Sequence, residues 1–412
     1  MIKLFLFKFG NDSIQNGIDA YIDSLYYCFK HTSQITLYVI NIDFENNEVV
    51  IRNLSDGSTV ISAYARDREF VVDFLAVALS LRSRIVDSNK NVFVLNNSPC
   101  SKLILELRQC FTLTRIIYII HNQGWCDVFW GREFIFREFI RCNSRVENEV
   151  ERSIINYFIE ECRIYKLSDS VVCLSKSTLN LLSDLYGMSR NKIKLIPHGC
   201  CDQRFSKINL CKDEARIRLG ISPNTKLGIF VGRLTRLKGI EILLRALVEM
   251  QDVMHKLDMK VVLIGPINLD DDLKAICRTL SDRLILTGRL SQENVMQWYN
   301  AADVGIIPSY TEQCSFVALE MMWYGLTVVA SNCNGLKDMF TRENAFIADI
   351  DEPSRYIRNL KNAIHDAFTA SESIRQNKLS TIKSQLFLRY SVETMRKSYL
   401  SLFSSIVRAV RE

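Results

Sequence analysis

Two cations and two carboxylates in the second half of the chain have the types and spacing for anion chemistry. In GIFVGRLTRLKG an apolar strand ends at Gly232, Arg233 follows directly, and Lys238 and Gly239 open a helix. Cations at the carboxyl end of a strand, beside a helix N-terminus, make an anion site. Taken alone, two solvated loop cations explain the pair equally well. Further on, Pro308 to Glu312 closes another strand, a helix starts near Ser315, and Glu320 falls in its second turn. The backbone N–H groups of Ser315, Phe316 and Val317 would point from that helix start into the same space. A phosphate there would meet the positive helix end and the Arg233/Lys238 pair. The carboxylates would remain for hydroxyls on either side, which suits a nucleoside diphosphate carrying a sugar. The plainer alternative pairs Glu320 with a surface cation and leaves Glu312 solvated. It is the joint occurrence of these residues that favours a site. In the first half, His121 closes the apolar run TRIIYII, at the strand end where open α/β sheets bind ligands. A lone histidine is more often structural.

Parallel strands are needed to bring these residues together. Short apolar runs alternate with longer amphipathic stretches: IKLFLF, ITLYVI, NVFVL, TRIIYII, SVVCLS and KIKLIP, then KLGIFVG, KVVLIG, RLILTG, VGIIP and LTVVAS. Apolar runs of this kind between helical segments predict strands buried on both faces of a doubly wound α/β sheet. One exception, EVVIRNLSDGSTVISAY, places β-rich runs around Ser55-Asp56-Gly57 and predicts a hairpin. A polar stretch within residues 198–226 separates two sets of strands. The expected domains are 1–205, with a returning C-terminal helix 392–412, and 206–391. That last helix is amphipathic, with Met395, Tyr399, Leu402, Phe403 and Ile406 on one side.

Composition limits the alternatives. The 412 residues are 48% hydrophobic and 24% charged, with only 16 Gly and 6 Pro, which excludes collagen-like and low-complexity chains. The net charge of +6 is mild, and without a basic arm or an RNP-type motif no nucleic-acid partner is expected. Thirteen cysteines show neither a C-x-x-C pair nor zinc spacing, so free thiols in a reducing compartment are expected. MIKLFLFKFG is interrupted by Lys3 and Lys8 and reads as a buried strand, not a signal segment. No apolar run reaches the length of a membrane span. A cytoplasmic protein is the expectation.

Taken together, Glu312-x7-Glu320, GRLTRLKG, ADVGIIPS and Asn334-Gly335 resemble the retaining GT-B glycosyltransferases of family 4. The resemblance is specific over residues 226–340 and extends to NGIDAYI, IIHN, VVCLSKST and IKLIPHG in the first half. HNQGWC is similar to a bacterial subgroup with an aromatic-Cys segment after the His strand. The resemblance implies two Rossmann-like domains facing a cleft, acceptor bound in front and donor behind. It implies transfer of a hexosyl or N-acetylhexosaminyl group from a nucleotide-diphosphate sugar, a UDP-sugar before a GDP-sugar. The acceptor would be a glycan or lipid-linked, in bacterial surface polysaccharide or glycan assembly, and neither a metal nor a further cofactor would be required. Arg233 and Lys238 would grip the diphosphate, Glu320 the ribose hydroxyls and Glu312 the donor sugar. Ser315, Phe316 and Val317 amides would bind sugar and phosphate, and the base would lie along Gly288 to Leu290. Gly17 would let backbone approach the diphosphate, and His121 would touch the donor sugar.

Departures from the family pattern leave the sugar open. The first loop has Gly17 without a Gly-Gly pair, His198 stands where Asn is usual, and Cys314 and Ser315 replace smaller or aliphatic residues. On the acceptor side, WCDVFWGREFIFREFIRCNSR interleaves aromatics with Arg132, Arg137, Arg141 and Arg145. A helix of this kind either lies on an anionic membrane surface or packs on its own domain with Arg stems over apolar surface. Packing is the favoured expectation, with peripheral contact at the inner membrane face as the other. Competing functions are a non-catalytic sugar-nucleotide-binding protein and a GT-B relative such as a phosphorylase or epimerase.

Overall fold

The structure is a computed structural model. It describes residues 1–9, 17–30, 32–43, 50–53, 59–64, 67–68, 71–96, 100–142, 148–200, 210–350 and 352–408. The first loop around Gly10, the Ser55-Asp56-Gly57 turn and Arg145 lie outside these residues. The chain divides into two compact units, Met1–Gly199 with Val392–Glu412, and Cys200–Ser391.

In the first unit the strands are β1 (Ile2–Phe9), β2 (Ile35–Asp43), β3 (Val50–Asn53), β4 (Thr59–Tyr64), β5 (Asp67–Arg68), β6 (Val71–Val72), β7 (Asn91–Leu95), β8 (Arg115–Ile119), β9 (Ser170–Cys173) and β10 (Ile193–Leu195). Eight of them form one sheet in the order β10-β9-β8-β7-β1-β2-β4-β3, and β5 and β6 pair separately. Neighbours in the large sheet are parallel except β3 and β4, which pair antiparallel from Asn53↔Thr59 outward, as the hairpin signal predicts. Every residue of β7 and β8 is buried. A central strand covered on both faces has no polar side, which is why these segments read as apolar runs after their first residues, Asn91 and Arg115. Phe93 anchors the core, edge-on to Phe5 at 5.2 Å and to Phe111 at 4.9 Å.

The last helix, Val392–Arg408, belongs to this unit. It buries Met395, Tyr399, Leu402 and Phe403, a spacing that lines one helical face. Phe403 packs on Phe29 at 5.6 Å, and the Tyr399 and Tyr21 hydroxyls share a buried hydrogen bond. Ile406 is only half-buried.

The aromatic-basic segment is two helices rather than one. Trp125–Val128 and Glu133–Cys142 are separated by Trp130 and Gly131, both left-handed (φ 52° and 66°). The break lets Trp125 stack on Phe136 at 4.9 Å over Ile154 and Leu181. Phe129, Phe139 and Ile140 pack against that cluster, and Arg137 pairs with Glu133 and Asp184. Most of the aromatic area is therefore spent on the unit's own core, although Phe134 stays 68% exposed.

The second unit has β11 (Lys226–Val231), β12 (Met259–Ile264), β13 (Leu284–Gly288), β14 (Val304–Ile307), β15 (Thr327–Ser331) and β16 (Phe346–Ala348), all parallel, in the order β13-β12-β11-β14-β15-β16. Helices Ile240–Glu249 and Pro353–Thr369 contribute Leu243, Leu244, Leu247, Leu360 and Ile364 to its core. From β11 the chain winds outward to β12 and β13, then returns to β14 and winds the other way. The crevice between the carboxyl ends of β11 and β14 is thus the switch point where doubly wound sheets take ligands. Each unit is doubly wound α/β. No helix among the described residues is long and apolar enough to cross a membrane.

Candidate functional site

The loops after β11 and β14 meet at the switch point. After β11, Arg233 is exposed; its carbonyl accepts from the Thr235 N–H at 2.8 Å, and its guanidinium has no hydrogen bond or ion pair among the described residues. A short 3-10 turn, Arg236–Lys238, leads to Gly239 at the start of helix Ile240–Glu249. Gly239 has φ 74°, and a Cβ there would lie 1.8 Å from the Pro308 carbonyl oxygen. Only glycine permits so close an approach of two backbones. Next to it the Tyr310 N–H donates to the Leu237 carbonyl at 2.9 Å, tying the two loops together.

This clamp brings the Lys238 Nζ to 2.6 Å from Glu312 Oε1. The Ser309 hydroxyl donates to the same oxygen at 2.9 Å. Lys238 is 28% exposed and Glu312 11%, so the pair sits at the rim, partly screened from water. The Asn334-Gly335 turn holds Glu312 from behind: the Glu312 N–H donates to the Asn334 carbonyl at 3.2 Å, and a Cβ on Gly335 would lie 2.3 Å from the Glu312 carbonyl oxygen. Glu312 is therefore fixed by its backbone as well as its carboxylate.

Three residues later Ser315 caps helix Phe316–Trp323, its hydroxyl accepting from the Ala318 N–H. The first turn that follows presents the Phe316 and Val317 amides at the positive end of the helix. Glu320 is buried on this helix and accepts a 2.7 Å hydrogen bond from the Tyr299 hydroxyl. Tyr324, just after the helix, has its phenol pushed up to about 12 by burial and then by the Glu320 charge. On the other side of the sheet centre, β13 ends at Gly288 (φ 70°), whose carbonyl accepts from the Gly265 N–H at 3.0 Å, and Leu290 follows, half-buried. Arg233, Lys238, Gly288, Leu290, Glu312, Ser315, Phe316 and Val317 thus follow carboxyl ends of strands in one sheet, and Glu320 lies one turn into the helix.

Gly17 and His121 belong to the first unit. Gly17 is the first residue of helix Gly17–Phe29. His121 follows β8, whose pairing continues through the Ile120 N–H to the Val172 carbonyl at 2.9 Å. Its ring meets Tyr21 edge-on at 4.6 Å and stacks with His198 at 5.8 Å. Burial pushes the His121 imidazole down to about 3, and its Nε2 is buried without a hydrogen-bond partner among the described residues. A neutral imidazole offers a hydroxyl a hydrogen bond without a charge.

Sequence reasoning did not find Ser309 or Tyr299, nor the direct Lys238–Glu312 pair. Ser309 had a local signal, three residues before Glu312 on one loop. Tyr299 had none, since its partner is 21 residues away. Among the described residues no group of three or more His, Cys, Asp and Glu side chains could hold a metal ion.

Comparison with known proteins bears on this unit most directly. The family Glycosyl transferases group 1 matches residues 225–366. An uncharacterized glycosyltransferase of Methanocaldococcus jannaschii is 28% identical over 242 residues, 57% of this chain and 60% of the relative. The D-inositol 3-phosphate glycosyltransferase of Acidothermus cellulolyticus is 30% identical over 208 residues, 48% of this chain and 46% of the relative. The match thus spans about half the length of these curated relatives. Among solved structures, the sucrose-phosphate synthase of Thermosynechococcus elongatus aligns over 100% of both chains with a TM-score of 0.77 at 17% identity. HepE of Anabaena, in complex with UDP and glucose, aligns over 98% of this chain and 100% of its own with a TM-score of 0.68 at 15% identity. The chain has the fold of the GT-B glycosyltransferases, and its residues 225–366 carry the group 1 glycosyl transferase pattern.

Proposed function

We propose that the protein is a retaining glycosyltransferase that moves a sugar from a nucleotide-diphosphate sugar to a glycan or lipid-linked acceptor. The carrying observation is Lys238 beside Glu312 at the β11/β14 switch point, with the exposed Arg233 guanidinium, unpaired among the described residues, on the same loop as Lys238. Arg233 and Lys238 bind the diphosphate and gain strength as the glycosidic bond breaks and charge develops on the leaving group. The helix end at Ser315 to Val317 adds oriented N–H groups. Glu312 exchanges part of its bond to Lys238 for a donor-sugar hydroxyl, and Glu320 takes the ribose hydroxyls. Gly288 to Leu290 lie along the base.

His121, neutral at physiological pH, hydrogen-bonds the donor sugar, and the leaving phosphate accepts the acceptor's proton on the same face. The donor is the only small molecule this chemistry calls on. A UDP-sugar is the first candidate, supported by the UDP and glucose held in the HepE structure of like fold. The setting is surface polysaccharide or glycan assembly at the cytoplasmic side of the membrane. The Phe134 ring and neighbouring Arg side chains are the surface for any peripheral contact there.

The test is to incubate the protein with UDP-, GDP- and ADP-sugars, measure nucleotide release with candidate glycan acceptors, and read the product's anomeric configuration by proton NMR. Acceptor-dependent release with the donor's own configuration supports the reading. Inversion, or no release with any donor and acceptor, contradicts it.

A further inference from the structure

Glu320 accepts a hydrogen bond from a residue on another helix. Tyr299, on helix Gln292–Ala301, is 1% exposed, and its hydroxyl donates to Glu320 Oε2 at 2.7 Å. Its ring stacks on Tyr324 at 5.3 Å and 20° between planes. Tyr324 in turn donates its N–H to the Glu320 carbonyl at 2.9 Å. Tyr299 therefore holds the helix that carries Glu320 at two points, the hydroxyl on the carboxylate and the ring on the residue one turn later. Tyr299 and Tyr324 also line a cavity of about 520 Å³ at the amino ends of β11, β14 and β15, with Lys226, Val304, Thr327 and Phe368.

A buried carboxylate needs donors, and a glutamate side chain has several rotatable bonds to lose when it is ordered. A short hydrogen bond from a rigid, stacked phenol helps to order it before any ligand arrives. We propose that Tyr299 is a positioning residue that sets the Glu320 carboxylate for the hydroxyls of the donor's ribose. This rests on the donor-site reading above. It adds that affinity for the nucleoside depends on a side chain that does not touch it.

Tyr299→Phe removes the hydroxyl and keeps the stacked ring, so the cavity is not enlarged. Calorimetric titration with UDP, and with 2′,3′-dideoxy-UDP, compares the wild type, Tyr299→Phe and Glu320→Gln. Where GDP or ADP is the nucleotide bound, the same pair is made with that base. A hydrogen bond to a charged group predicts that Tyr299→Phe weakens the ribonucleotide about tenfold or more. It should leave the dideoxy probe's affinity unchanged, so that the preference for ribose collapses. In turnover the loss falls on the donor KM more than on kcat. Equal weakening of both probes, or of neither, overturns the positioning role while the donor site stands. Failure of the wild type to bind UDP, GDP or ADP overturns the donor site and the proposal with it.

Discussion

Lys238 and Glu312 are 74 residues apart in sequence, yet their charged atoms are 2.6 Å apart because β11 and β14 are neighbours in the sheet. Each neutralises part of the other's field. A diphosphate arriving there gives Lys238 a second anionic partner and puts a like charge near Glu312. The two residues should therefore respond to substitution in opposite senses when a nucleotide binds without its sugar.

Lys238→Ala should lower kcat/KM for transfer by about 100-fold or more, the scale of a lost transition-state electrostatic contact. Lys238 is partly exposed, so the fold should survive with a small drop in Tm. Steady-state kinetics beside a circular-dichroism melt checks both halves.

Glu312→Gln should tighten binding of the free nucleoside diphosphate a few-fold while transfer falls. The substitution removes the charge that competes for Lys238 and keeps an acceptor for Ser309. Weaker binding of UDP and GDP to this variant would show that Glu312 does not oppose the phosphate. Calorimetry with each free nucleotide measures it.

Gly239→Ala should destabilise the second unit by about 2 kcal/mol or more, since it adds a left-handed strain to a collision with the Pro308 carbonyl. The loop that carries Lys238 would shift with it, so transfer should fall in the same variant. Urea unfolding, followed together with the transfer rate, tests the clamp.

Two buried groups of the first unit give stability opposite slopes with pH. Burial lowers the His121 imidazole to about 3, below the value near 6.5 of an unfolded chain. The unfolded state then binds more protons between these values, so this contribution is full above about 6.5 and is lost as pH falls. Burial raises the Glu161 carboxyl to about 7, although the Tyr186 hydroxyl and the Gly124 N–H both donate to it. Its contribution is full below about 4.3 and is lost as pH rises through 7. His121→Gln should therefore flatten the acid limb of a urea-denaturation pH series, and Glu161→Gln the limb from pH 5 to 8. The reverse assignment would contradict both environments.

Much of this fold is legible in the residue pattern. β7 and β11 are apolar runs after their first residues, Asn91 and Lys226, and the last helix shows its face through Met395, Tyr399, Leu402 and Phe403. β16 is three residues long, too short to carry a period, and its apolar run Ala345–Ala348 is at the lower limit of a strand signal. The break at Trp130 and Gly131 was marked only by its glycine, while the surrounding aromatics suggested one continuous helix. In the candidate site, Arg233, Lys238, Glu312 and Glu320 stand out because charge at strand ends and helix starts is a local signal. Their contacts do not. Whether Lys238 meets Glu312 depends on strand order, and Tyr299 reaches Glu320 from a helix whose own pattern only says that it is buried.

The most direct measurement is the affinity of UDP-, GDP- and ADP-sugars for the wild type and for Lys238→Ala. The account predicts that one of them binds the wild type and loses about tenfold or more in the variant, which melts cooperatively near the wild-type temperature. Equal affinity for the two proteins, or binding of none of the three to the wild type, would contradict the assignment of the switch point in the second unit as the donor site.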